Sequence, residues 1–322
     1  MIVVVTGATS GVGRAVAAAF ARRGARLGLI ARGEDGLVAT AAEVERLGGR
    51  ALALPLDLAD PAAVDAAAHF VIAEWGRIDV WVNDAMTSVL ARVDDTTASE
   101  YRRVTEVNYL GTVHGTLAAL RHMRRRDAGT IIQIGSALAY RSIPLQSAYC
   151  ASKAAIHGFT DSLRSELLHD GSRIRVTMLQ LPAVNTPQFD VVRNKLGKHA
   201  HPVPPIYQPE VIAEAVVRAA ERPRREAWLG WSTALAILGQ RLAPGLLDRY
   251  LARAAWKAQV TDALPPHHGD NLFAPLPGDR GARGPFDGEA HDRMRPGGQV
   301  LVALAALLSL GILAWRRSRT TR

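Results

Sequence analysis

Short apolar runs and amphipathic stretches alternate along the first 230 residues. Ile2–Thr6 is an unbroken apolar and β-branched run. Runs of the same kind recur at Arg26–Ala31, Ala51–Leu56, Ile78–Asn83, Thr130–Gly135 and Arg173–Leu179, with a shorter one at Glu226–Leu229. They show little alternation, which predicts strands buried on both faces. Between them, apolar residues recur at helical spacing over Arg14–Arg23, Leu37–Leu47, Pro61–Trp75, Ser99–Arg126, Ala148–His169 and Glu210–Glu221. Glycines close the first two helices, and Pro61 suits the first turn of the third, with Asp60 as its N-cap. Strand–helix alternation with right-handed crossovers gives an α/β fold, a doubly wound parallel sheet of about seven strands with helices on both faces. Its expected strand order is 3-2-1-4-5-6-7.

The pattern changes past Gly230. The expected organisation is a main α/β domain over 1–230, an apolar helical extension over 231–259 broken at Pro244-Gly245, and a Pro/Gly-rich connector over 260–298. An uncharged apolar helix over 299–315 and a basic tail over 316–322 follow. The connector reads as extended or loosely ordered.

Composition sharpens this picture in three places. Hydrophobic residues make up 48% of the 322 and charged residues 21%, so the chain is globular and not disordered. One cysteine, Cys150, excludes an intramolecular disulfide and a cysteine-based zinc site. The formal charge of +9 is concentrated late: residues 223–322 carry 14 Lys/Arg against 8 Asp/Glu. No aromatic-interleaved basic motif accompanies that charge, so nucleic acid is not an expected partner.

Gly297–Trp315 would span roughly 28 Å as a helix, close to a hydrocarbon core. Membrane lipid is therefore an expected partner of the carboxyl end. Without an N-terminal signal the α/β domain is expected in the cytoplasm. A span would then carry four arginines across the membrane, against the positive-inside tendency, whereas a helix lying in the interface would keep them near anionic lipid. Both arrangements remain open.

Candidate chemistry begins at Thr6-Gly7-Ala8-Thr9-Ser10-Gly11-Val12-Gly13, between the first strand and the first helix. Glycines there allow a tight turn and close approach of a pyrophosphate to a helix N-terminus; the plainer reading is a strand-to-helix turn. Tyr149 and Lys153 stand four apart on one helix face. A free phenol is too weak an acid for work near neutrality, and a nearby ammonium lowers its pKa. His199, His201, His267 and His268 have no carboxylate or cysteine at ligand spacing, so no metal is expected.

The loop spacing, with Ser136 thirteen residues before Tyr149-x-x-x-Lys153, resembles the short-chain dehydrogenase/reductase family over about residues 1–230. The resemblance implies an oxidoreductase acting on a small carbonyl or alcohol substrate. It implies a catalytic set in which Ser136 orients the substrate oxygen, Tyr149 is the acid/base, Lys153 holds the ribose and tunes Tyr149, and Asn108 positions a water. It implies cofactor contacts at Thr6, Gly7, Thr9, Ser10, Gly11, Val12, Gly13, Tyr149 and Lys153. Further contacts are implied at Asp57 and Leu58 after strand three, Asn83 and Ala85 after strand four, and Pro182, Val184 and Thr186 after strand six. Arg32 ends strand two where an acid would favour NAD(H), and Arg14 opens the first helix. Guanidinium groups suit a 2′-phosphate, so NADP(H) is the expected cofactor, with NAD(H) possible beside Glu34 and Asp35. Asp84, Met86 and Ala183 depart from the family's Asn-Asn-Ala-Gly and Pro-Gly motifs, which leaves a non-catalytic nucleotide-binding protein as the alternative. The resemblance also implies a homodimer or homotetramer paired through the two long helices.

Overall fold

The computed structural model describes residues 1–266 and 269–294. Seven parallel strands form the main sheet: β1 (Ile2–Thr6), β2 (Arg26–Ala31), β3 (Arg50–Pro55), β4 (Val80–Asn83), β5 (Thr130–Ser136), β6 (Arg175–Leu181) and β7 (Glu226–Trp228). Their order is β3-β2-β1-β4-β5-β6-β7, as the alternation predicts. Pairing is in register from Ile2 against Arg26 to Thr6 against Ile30. Successive side chains of β1 point to opposite faces, and both faces are buried. Val3 and Val5 join a core with Phe20 and Val16 of α1 (Gly11–Ala21) and with Ile212 and Val216 of α7 (Pro209–Glu221). Ile2 and Val4 join the opposite core with Val64 and Val71 of α3 (Pro61–Trp75), Trp81 and Met123. This is why the strands carry no polar face.

The other α-helices of seven or more residues are α2 (Glu34–Arg46), α4 (Ala98–Val104), α5 (Gly111–Met123), α6 (Ser147–His169), α8 (Trp231–Leu242) and α9 (Pro244–Ala258). Asp60 caps α3, accepting from the amides of Ala62 and Ala63 with Pro61 at the first position. Thr97 and Glu100 form a reciprocal capping box on α4. The single helix expected over Ser99–Arg126 is instead α4 and α5 joined by a π-helical turn, Thr105–Leu110. The buried Asn108 explains the widening: its side chain exchanges two hydrogen bonds with the backbone of Thr87 and donates a third to Ser152.

The stretch beyond α9 has little regular structure, as its Pro/Gly content predicts. It does not lead away from the domain, however. Ala290–His291 pairs with Ile206–Tyr207, which pairs in turn with Ala183–Val184. The residues before it cross the carboxyl edge of the main sheet, held by hydrogen bonds described below. The candidate membrane helix over 299–315 and the basic tail lie outside the described residues, as do His267 and His268. Among the described residues no helix is long and apolar enough to cross a membrane.

Candidate active site

A groove opens at the carboxyl ends of β1, β2 and β4, lined by Gly7, Ser10, Gly11, Arg32, Asp57, Ala85 and Thr186 among others. Steric limits explain its glycines. Gly7 has φ +72°, and a Cβ there would stand 2.8 Å from Ala85 Cα. A Cβ on Gly13 would fall 2.2 Å from the carbonyl oxygen of Gly7. Gly36 leaves room for Thr9, which would meet a Cβ at 2.7 Å. The loop therefore folds back tightly onto the N-terminus of α1, where Ser10 and Val12 border the groove. Thr6 ties the loop to its neighbour, its hydroxyl accepting from the amides of Asp84 (3.0 Å) and Ala85 (3.2 Å). Such a cradle, built on glycine backbone and facing a helix N-terminus, fits the phosphates of a dinucleotide, with the Gly11 amide here donating to the Gly281 carbonyl oxygen at 3.1 Å.

At the end of β5, Ser136 hydrogen-bonds Tyr149, and Lys153 Nζ lies 5.6 Å from the centre of the Tyr149 ring. Lys153 is buried and donates to the Ile134 carbonyl oxygen at 2.7 Å. The three residues singled out in the sequence thus converge. Their electrostatics differ from the expectation. Burial pushes the Tyr149 pKa well above its ordinary value, and Asp84 raises it further; only the Ser136 hydrogen bond opposes this. Burial also lowers Lys153 to about 8, against the pull of Asp84. Asp84 itself is raised to about 7 by burial, opposed by Lys153 and by the Gly13 amide. The phenol is therefore protonated at neutral pH, because desolvation outweighs the Ser136 hydrogen bond, and the ammonium expected to ionise it is not among the groups that shift it.

Other candidate residues divide into groove and framework. Leu58, Asp57, Ala85 and Thr186 line the groove. Asp57 also forms an ion pair with Arg103 and accepts from the Ala59 amide, which holds its carboxyl below the usual range against the opposing effect of burial. Asn83 points inward instead, bonded to Trp81 Nε1, Thr116 and Gln133, so its side chain braces β4 and not a ligand. Asn108 likewise reaches Thr87 and Ser152, and no bond joins its amide to Lys153. Val184 pairs with Tyr207 in the small sheet, with Pro182 leading into it.

The two arginines assigned to a 2′-phosphate are already engaged. Arg14 is buried, bonded to Glu43 (2.5 Å), Thr40 (3.0 Å) and Asp279 (2.9 Å), and does not line the groove. Arg32 does line it, but donates to the carbonyl oxygens of Asn271, Leu272 and Phe273. Sequence reasoning missed the groove's outer wall altogether: Asn271, Pro275, Leu276, Gly278 and Arg280 come from the stretch read as a connector. Its Pro/Gly content hid the cue, which was the buried Leu272 and Phe286 inside it. His199 and His201 do have carboxylates in space, Asp190 at 2.8 Å and Glu289 at 3.3 Å. Among the described residues no three such side chains cluster as a metal site.

The family model described as short chain dehydrogenase matches residues 1–197. The "Uncharacterized oxidoreductase YxnA" of Bacillus subtilis is 34% identical over 261 residues, covering 80% of this chain and 73% of that protein. "Dehydrogenase/reductase SDR family member 7B" of Bos taurus is 34% identical over 272 residues, covering 80% and 82%. Among solved structures, the alcohol dehydrogenase from Thermococcus sibiricus complexed with 5-hydroxy-NADP superposes with a TM-score of 0.61 at 27% identity, covering 71% of this chain and 95% of that one.

Proposed function

The chain belongs to the short-chain dehydrogenase family, an oxidoreductase family, and on that premise we propose that it reduces a carbonyl or oxidises an alcohol with NADP(H). The observation that carries this reading is the convergence of Ser136, Tyr149 and Lys153 beside the glycine cradle. Bound NADP(H) supplies the hydride chemistry. Ser136 holds the substrate oxygen by its hydroxyl. Tyr149, kept protonated by burial, donates its phenolic proton to that oxygen in the reductive direction. Lys153 stays cationic at neutral pH and bonds the ribose. The NADP-type ligand of the Thermococcus sibiricus relative supports NADP(H) over NAD(H), whereas Arg32, bonded to the carbonyl oxygens of Asn271, Leu272 and Phe273, adds nothing to that choice as it stands. Titrating the protein with NADPH and NADH, then following NADPH absorbance over a panel of ketones and aldehydes, tests the reading. Binding of neither nucleotide, or no turnover of any carbonyl with NADPH bound, would sink it.

Asp84 sets the pH range of this set. It is charged above about pH 7, and in that state it raises the pKa values of both Lys153 and Tyr149. Asp84→Asn removes both effects, so Lys153 and Tyr149 each lose their proton at lower pH. Reduction needs both protonated. The alkaline limb of kcat/KM for reduction is thus expected to move to lower pH. A limb that stays in place would show that Asp84 does not act on the pair.

The uncharged run 299–315 and the arginines behind it support attachment of the carboxyl end to a membrane. The full chain is expected to pellet with membranes and resist high salt, while a chain ending near Gly298 stays in the supernatant. Leu117 on α5 and Leu168 on α6 are exposed, which supports pairing of subunits through these helices. Light scattering of the detergent-solubilised chain is expected to give a dimer or tetramer mass, and a monomer mass would refute it.

A further inference from the structure

The stretch from Asp270 to Asp287 lies as a strap along the nucleotide groove, anchored at intervals. Arg32 and Arg103 hold its Leu272 carbonyl, and the Leu272 side chain is buried. The Gly278 amide donates to Asp35 at 2.8 Å, and Asp279 pairs with Arg14. Gly281 accepts from the amide of Gly11, in the phosphate cradle itself, at 3.1 Å. Farther on, the Phe286 amide donates to the buried Asn185 at 3.0 Å.

Arg280 sits between the Asp279 and Gly281 anchors and lines the same groove as Gly7, Ser10, Gly11 and Val12. Its Nε is closed off from solvent and has no hydrogen-bond partner. The neighbouring cations are all engaged: Arg14 by Glu43 and Asp279, Arg32 by three carbonyls, Arg103 by Asp57 and Arg283 by Glu210. A buried N–H without an acceptor is unfavourable, and a guanidinium fork matches phosphate oxygens in shape and charge. We propose that Arg280 is a ligand for a phosphate of the bound dinucleotide, supplied by the strap as it closes the outer side of the groove. This rests on the cofactor reading above. It gives the carboxyl-terminal stretch a direct part in holding the nucleotide, at a position where the arginines expected from the sequence are already bonded to protein.

The test is calorimetric titration of the full chain, Arg280→Gln and Arg280→Lys with NADPH and with NADH, beside a thermal melt of each without nucleotide. Arg280→Gln removes an unpartnered N–H and is expected to melt no lower than the unaltered chain. Its nucleotide affinity is expected to fall about ten- to hundredfold, the range of one hydrogen bond to a charged group. Arg280→Lys keeps the charge without the fork and should recover part of the loss. Equal loss for both nucleotides assigns the pyrophosphate, and loss confined to NADPH assigns the 2′-phosphate. Unchanged affinity of Arg280→Gln for both nucleotides would overturn the proposal. An unaltered chain that binds neither nucleotide would instead overturn the cofactor reading, and this inference with it.

Discussion

Tyr149→Phe is expected to lower turnover by about 10²–10⁴-fold, the contribution of a positioned general acid, while NADPH still binds. The substitution removes one oxygen and keeps the ring that packs near Lys153. Burial holds the Tyr149 proton in place at neutral pH, so the group is poised to donate to a substrate oxygen and is a poor base on its own. In the oxidative direction it must release that proton, and a cationic nicotinamide beside Lys153 would favour the phenolate. The rate of oxidation is therefore expected to climb with pH more steeply than the rate of reduction in the unaltered protein. Single-turnover absorbance with saturating NADPH separates the chemical step from binding. A Phe variant that retains most of its turnover would assign the proton to another group, with Ser136 the first to examine, since its hydroxyl is bonded to Tyr149.

Gly13→Ala is the second large effect. The added methyl would lie 2.2 Å from the Gly7 carbonyl oxygen and close to Asp84, so the backbone of the loop has to move. Overpacking of this kind costs about 1–3 kcal/mol, which corresponds to a fall in melting temperature of roughly 1.5–4.5 °C in a chain of this size. The movement also opens the cradle between Gly7 and the first turn of α1, where a pyrophosphate would sit. NADPH affinity is expected to fall by more than tenfold, read by the same titration. Unimpaired binding in a correctly folded Gly13→Ala protein would show that the phosphates do not depend on this loop.

The strand order, the two-faced burial and the glycine loop were all legible in the residues. A strand such as β1, with apolar side chains on both faces, has no stable place except inside a covered parallel sheet. The helix boundaries followed from local chemistry too, as Asp60-Pro61 and Pro244-Gly245 illustrate. Ser136, Tyr149 and Lys153 could be singled out as candidates because the spacing between them, which resembles the family pattern, is a property of the chain.

What the residues alone did not reveal depends on long-range partners. Asn108 turns α4 and α5 into a π-helical joint only because Thr87, 21 residues earlier, presents a backbone donor and acceptor to it. Arg14 and Arg32 look like free cations in the sequence, and become bonded only when Asp279 and the carbonyls of Asn271–Phe273 are folded onto them. The raised Tyr149 pKa comes from burial, which no four-residue spacing encodes. Local pattern determines which elements form, since propensity and periodicity act over a few residues. Tertiary packing decides which charges meet and which are left for a ligand, since pairs such as Arg14 and Asp279 lie 265 positions apart and meet only in the fold.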